Sequence, residues 1–191
     1  MRPAHILTCL ALALSGLPPL AAADASKSPL PCMVYADGAP AVWIPSGYIG
    51  ETGAITMDGA CTVLPHSGAT CLRVVYSKPD GWGGVVWQDP ANDWGDAAGG
   101  KDLSGATRLA FWARGASGGE KVKFGCGVIA ADKPFHDSAK KDLEVTLTGE
   151  WHEYAIDVAG ADLTRIKTGF MWVLAGQGQS LAFFLDDIRW E

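Results

Sequence analysis

From Cys32 to the end, the chain is a succession of short runs in which apolar and polar residues alternate, each closed by Gly, Pro, Asn or Asp. Runs of this kind predict strands near 32–37, 53–59, 69–77, 83–88, 107–114, 121–130, 142–147, 151–158, 168–175 and 181–189. No window holds helical spacing over three turns, with one weak exception from Asp132 to Lys141. Many short strands between frequent turn signals predict an all-β fold, a two-sheet antiparallel β-sandwich of the jelly-roll type.

Alternation also sorts the faces. Leu72, Val74 and Tyr76 share one side of their run, opposite Arg73 and Val75; Leu109, Phe111 and Ala113 oppose Trp112 and Arg114; Val122, Phe124 and Cys126 oppose Lys123. The first set of each is predicted core. The second set makes Arg73, Trp112, Arg114 and Lys123 candidates for one concave face of mixed aromatic and basic character, provided their strands are neighbours in one sheet. The alternative is a solvated outer face with Trp112 under a loop.

The N-terminus reads differently. Arg2, an apolar run from Ile6 to about Leu20 and the small residues Ala21–Ala23 form a secretory signal peptide over 1–23, cut near Asp24. A flexible segment, 24–31, leads into a single domain, 32–191. The leader run is broken by Pro18-Pro19, and no later stretch approaches the roughly 20 apolar residues of a membrane span, so no transmembrane segment is expected and the product is secreted or periplasmic. Without Arg2 the remaining 168 residues carry 14 basic and 21 acidic side chains, a net charge of −7. So acidic a chain makes nucleic acid and anionic membranes poor partners.

Four of the five cysteines lie beyond the leader, and an oxidising compartment favours pairing them. Cys61 and Cys71 flank TVLPHSGAT, whose Pro65–Gly68 reads as a turn, so neighbouring strands would bring them into a disulfide. Cys32 and Cys126 are the leftover pair or free buried thiols.

From Gly149 to Ile188 the pieces GEWHEY, Asp162-Leu163, GFMW and FLDDI, with DLSGA leading into LAFWARG upstream, closely resemble bacterial jelly-roll carbohydrate-binding modules with a galactose-binding-like fold, of the family 11-like and CenC-like group. The resemblance touches most of residues 70–191. It implies the fold, and it implies a polysaccharide or glycan as partner, although such modules also serve as interaction domains. It further implies a structural calcium ion near Asp186 and Asp187, since related modules tie the last strand to an early one through a carboxylate, with Asp37 as the partner; the alternative is a hydrogen-bonded Asp without an ion.

Sugar binding needs flat apolar rings for the C–H face of a pyranose and planar polar groups for its hydroxyls. The stretch GWGGVVWQDPANDWG (81–95) supplies Trp82, Trp87, Trp94, Gln88 and Asn92, and Tyr48 lies in a Pro/Gly-rich loop at the same end of the sandwich. An exposed Trp on a sugar contributes roughly 1 to 3 kcal/mol. Parity sends Trp82 and Trp87 to opposite faces, unless Gly83-Gly84 forms a bulge. Trp94 follows on a loop and is the first ring expected to touch ligand. Arg73, Arg114 and Lys123 point to a uronate-containing glycan, because guanidinium meets carboxylate bidentately. His136 beside Asp137 is the one candidate general base, with no nucleophile elbow or spaced acid pair to accompany it. The reading adopted is a secreted, non-catalytic carbohydrate-binding protein; the alternatives are a non-glycan interaction module with a secreted protein partner, and a glycan-active hydrolase or lyase.

Overall fold

The structure, a computed structural model, describes residues 27–37 and 42–191. The leader expected at 1–23, and residues 24–26 of the segment after it, lie outside the described residues. Residues 27–31 run along the domain, where Lys27 bridges Asp102 and Ser28 N–H donates to its carbonyl at 2.7 Å.

The described residues form eleven strands: β1 (Cys32–Tyr35), β2 (Ile44–Gly50), β3 (Ile55–Cys61), β4 (Cys71–Tyr76), β5 (Trp82–Gln88), β6 (Arg108–Gly115), β7 (Lys121–Cys126), β8 (Lys141–Thr146), β9 (His152–Asp157), β10 (Thr168–Ala175) and β11 (Leu181–Trp190). One sheet runs β3-β4-β11-β6-β9 with β1 added to β11; the other runs β2-β5-β10-β7-β8. All pairings between these strands are antiparallel, which gives the expected jelly-roll sandwich. No helix of the described residues is long and apolar enough to cross a membrane.

The inward rows meet as the alternation predicts. Leu72, Val74 and Tyr76 of β4 and Leu109, Phe111 and Ala113 of β6 face Val122, Phe124 and Cys126 of β7 across one buried core. Each large side chain there contributes about 1.5 to 3 kcal/mol over leaving it in water. Trp43, Trp172 and Trp190 lie wholly inside, and Trp43 and Trp190 donate their indole N–H to the carbonyls of Ile166 at 3.2 Å and Gly169 at 3.0 Å.

Two local expectations are corrected. β2 forms where the Pro/Gly-rich sequence around Tyr48 predicts a loop; it pairs with β5 through a register shift between Pro45 and Gly47, which absorbs the break in alternation. No helix forms over 132–141. Instead Asp137, buried, accepts from the amides of Ile129 at 2.9 Å, Lys167 at 2.6 Å and Thr168 at 3.0 Å and from the Thr168 hydroxyl at 2.6 Å, tying this segment as turns to the start of β10.

Strand β11 changes neighbour along its length. Leu181–Leu185 pair with β4, whereas Ile188–Trp190 pair with β1, and the register to β6 shifts between Asp186 and Arg189. Asp187, at φ +45°, sits in that break. Asp186 still stands opposite Trp112 of β6 but lies past the last β4 pair, and the side chains of both acids reach the loop 62–70 that joins β3 to β4.

Candidate functional site

The outer face of the five-stranded sheet carries a groove of about 350 Å³, lined among others by Trp82, Lys121, Lys123, Glu144, Val173 and Gln177. Register explains this grouping. Gly84 pairs with Val173, Val173 with Lys123, and Lys123 with Glu144, so one lateral row crosses β5, β10, β7 and β8 on the same face. Trp82 pairs with Ala175 in the adjacent row, and Lys121 with Thr146.

Two glycines shape the Trp82 end. Gly84 is the next outward position on β5, and a Cβ there would lie 2.5 Å from the Trp172 carbonyl oxygen and 2.8 Å from Val173 Cγ2, so a side chain would overrun the floor of the groove. Gly50, at φ +70°, lets the end of β2 pass against the Trp82 ring, where a Cβ would approach Cε3 to 2.9 Å. The indole is thus backed on one side and remains 50% exposed on the other.

At the opposite wall Gln177 clasps β7. Its Oε1 accepts from Lys121 N–H at 3.1 Å and its Nε2 donates to the Lys121 carbonyl at 3.0 Å, so a side-chain amide continues the ladder past the end of β10. The clasp fixes the backbone from which Lys121 and Lys123 project. Neither ammonium reaches a carboxylate within 4 Å among the described residues, in contrast to Lys78, Lys101, Lys133 and Lys167, which are paired with Glu51, Asp89, Asp96 and Asp93.

Beyond Val86 the same face is closed. Gln88, 1% exposed, accepts from Ser46 Oγ at 2.9 Å and donates to the Asp93 carbonyl at 2.8 Å, anchoring the loop 89–100. Asp93 folds that loop by accepting from the amides of Gly95, Asp96 and Ala97 at 2.9 to 3.2 Å. It also pairs with the buried Lys167, whose Nζ donates to the Ala97 carbonyl as well. Burial pushes the Asp93 carboxyl up, but the Lys167 bond and these amides outweigh it and leave it below its ordinary value.

The residues singled out from sequence divide accordingly. Trp82 and Lys123 come together in the groove. Trp87 is not a ligand platform: it points inward, 2% exposed, with its ring 5.4 Å from Phe170. Gln88 is a loop anchor. Asn92 is exposed at φ +58° and gives its N–H to Ser46 Oγ, while Trp94, 37% exposed, is not among the residues lining the groove. Tyr48 lines a separate cleft of about 270 Å³ between the sheets, with Tyr35, Met57 and Leu72.

The expected basic face is overturned. Arg73 on β4 and Trp112 and Arg114 on β6 belong to the six-stranded sheet, β7 with Lys123 to the other. Around Trp112 and Arg114 the loop 62–70 folds down: His66 stacks on Trp112 at 3.7 Å, Arg114 Nη2 donates to Val63 O at 3.0 Å, and Trp151 Nε1 donates to Leu64 O at 2.9 Å. Arg114 is buried with its guanidinium 3.8 Å over the Phe184 ring. Of the three on this sheet, Arg73 alone stays exposed.

The acids proposed as metal ligands hold that loop directly. Asp186 accepts from the amides of His66 at 3.0 Å and Ser67 at 3.2 Å; Asp187 meets His66 Nδ1 at 2.9 Å and the Ser67 hydroxyl at 3.0 Å; Asp37 accepts from the amides of Ala69 and Thr70 and from the Thr70 hydroxyl. Among the described residues no group of three or more His, Cys, Asp or Glu side chains is arranged to hold a metal ion. Cys61 and Cys71 face each other in register as expected, but the disulfide is not formed; both are buried thiols, as are Cys32 and Cys126.

Lys121, Glu144, Val173 and Gln177 were missed. Lys121 shares parity with Lys123, the one signal that pointed to it; Glu144, Val173 and Gln177 join only through pairings of β8 and β10 that local sequence does not carry.

No protein-family model matches the chain, and no curated protein matches it. Solved structures do. A family 11 carbohydrate-binding module from Clostridium thermocellum, in complex with a β-1,3-1,4-mixed-linked tetrasaccharide, superposes with a TM-score of 0.54 at 16% identity, covering 83% of this chain and 93% of that one. A family 30 module superposes with a TM-score of 0.59 at 16% identity over 85% and 98%. A family 30 module of a cellulosomal cellulase of Clostridium thermocellum gives 0.53 at 19% identity over 83% and 95%. The chain has the jelly-roll fold that these modules share.

Proposed function

We propose that the groove beside Trp82 binds a polysaccharide or glycan without transforming it, and that the chain is exported through the leader at 1–23. The observation that carries the reading is Trp82: a large indole held half exposed by Gly50 at the rim of a groove, next to an apolar floor and four polar side chains. An isolated exposed ring is common on proteins, but a ring flanked by Lys121, Lys123, Glu144 and Gln177 offers both halves of sugar recognition, a flat apolar surface and hydrogen-bonding groups for hydroxyls. Covering the ring contributes roughly 1 to 3 kcal/mol, which fits the micromolar to millimolar affinities that ligands competing with water for every hydrogen bond allow. The shared fold of sugar-binding modules supports the same reading by analogy.

The charges lining the groove support binding over glycoside hydrolysis. The usual hydrolytic arrangement places two carboxyl groups about the bond, roughly 5 to 10 Å apart, and among the described residues Glu144 is the single acid in the lining.

Affinity electrophoresis through gels carrying soluble polysaccharides tests the reading. Retention of the chain, lost on Trp82→Ala with an unchanged melting midpoint, is the expected result; retention that survives Trp82→Ala places binding elsewhere. N-terminal sequencing of exported material is expected to start near Asp24.

A further inference from the structure

We infer that the groove is selective for an anionic glycan, a chain carrying uronate carboxylates; this rests on the glycan reading of the same groove. The guanidinium groups that suggested acidic sugars in the sequence lie on the other sheet, under a loop or away from the groove. A different pair of cations takes their place. Lys121 and Lys123 stand two residues apart on one face of β7, so their attachment points are about 6.5 to 7 Å apart. Both are exposed and both lack a carboxylate partner within 4 Å among the described residues. In so acidic a chain, two unpaired ammonium groups in one groove are a local reversal of charge.

Geometry links them to the ring. β7 lies two strand spacings from β5, about 9 to 10 Å, with Val173 between. A pyranose laid on Trp82 and Val173 therefore presents its substituents to β7 at ammonium reach. A lysine ammonium is a compact charge on a flexible stem, suited to a carboxylate whose position varies along a polymer. Glu144, paired in register with Lys123, sets an upper limit on the charge accepted. It leaves the groove wall one unit positive, which matches one carboxylate per ring and disfavours a dense polyanion.

The test is affinity electrophoresis of the purified chain in polygalacturonate, in the same polymer methyl-esterified, in dextran sulfate and in a mixed-linkage β-glucan. Polygalacturonate is expected to retain the chain most strongly. Lys121→Gln/Lys123→Gln should weaken that retention roughly threefold to thirtyfold, the effect of two exposed ion pairs, and Glu144→Gln should strengthen it. The advantage over the methyl ester should shrink as salt is raised past about 0.15 M, where the screening length falls to about 8 Å. Equal retention by the ester, or a lysine double variant that behaves as the parent, overturns the inference. Equal retention by dextran sulfate reduces it to unspecific charge and overturns the uronate assignment. Trp82-dependent binding of the β-glucan with no preference for polygalacturonate leaves the glycan reading standing and removes only this inference. No retention in any gel removes both.

Discussion

Trp82 and Trp87, five residues apart on β5, project to opposite faces of the same sheet: Trp82 stands half exposed in the groove, whereas Trp87 is 2% exposed and edge-on to Phe170 in the core. Their replacements are therefore expected to separate binding from stability. Trp87→Ala removes a packed ring and should cost about 3 to 5 kcal/mol in a denaturant melt. Trp82→Ala removes a largely solvated ring and should shift stability by less than about 1 kcal/mol while abolishing retention on polysaccharide. Equal destabilisation by both would contradict the placement of the two rings.

Lys167, 1% exposed at its side chain, has Asp93 as its counter-charge, and the pair holds the loop 89–100 over the end of the sheet. Removing one member strands the other out of water. Lys167→Met or Asp93→Ala is expected to destabilise by about 3 to 5 kcal/mol, with the double variant costing clearly less than the sum. Hydrogen exchange gives a local readout, because the amides of Gly95, Asp96 and Ala97 that Asp93 accepts should lose protection in Asp93→Ala. Additive losses would show that the pair does not act as a unit.

The inward rows were legible because each needs only its own strand: Leu72, Val74 and Tyr76 declare a buried face by period-two spacing, as do Val122, Phe124 and Cys126. The same parity separated Trp82 from Trp87. What parity does not carry is which strands share a sheet. Arg114 and Lys123 are both outward residues, yet they sit on opposite surfaces of the sandwich, since β6 pairs with β11 and β9 whereas β7 pairs with β10 and β8. The groove was thus half visible. Trp82 and Lys123 were named, but Val173 and Glu144 enter through long-range register. Asp37 and the pair Asp186 and Asp187, far apart in sequence, all bond to the loop 62–70, a grouping set by the pairing of β11 that local sequence does not carry.

Cys61 and Cys71 are direct partners in the β3–β4 register, so an oxidant such as glutathione disulfide should join them without moving the strands. Burial first, and then the neighbouring Cys61, pushes the Cys71 thiol up to about 12. Its thiolate is scarce at neutral pH, and exchange is expected to be slow there and faster in alkaline buffer. The product should lose two hydrogens and two titratable thiols by mass and thiol counting, and gain roughly 2 to 3 kcal/mol in stability from closing the short loop. Failure to form the bond in denaturant-free oxidising buffer at high pH would show that the strand spacing forbids it.

Acid should loosen the fold through the carboxylates that accept amides and hydroxyls. The Thr70 hydroxyl, then the Ala69 and Thr70 amides, hold Asp37 below its ordinary value of 3.8; Ser104 does the same for Asp102, and Thr164 for Asp162. For each of these the unfolded chain takes up its proton at a higher pH than the folded one. The stability they add is complete above the unfolded value near 3.8 and is lost as pH falls through the lower folded values. Asp186 has the opposite sign: burial raises its carboxyl, with Asp187 adding to this against the amides of Ser67, Asp187 and His66, so its protonation on the way down favours the folded state. The melting midpoint is therefore expected to change little, or to rise slightly, between neutral pH and the upper carboxylate range, and to drop below about pH 4. Asp37→Asn should lower the midpoint at neutral pH and flatten the drop, while Asp186→Asn should remove the shallow rise and leave the drop in place. A drop of the same steepness in Asp37→Asn would show that the loop 62–70 is held by other contacts, foremost the stacking of His66 on Trp112.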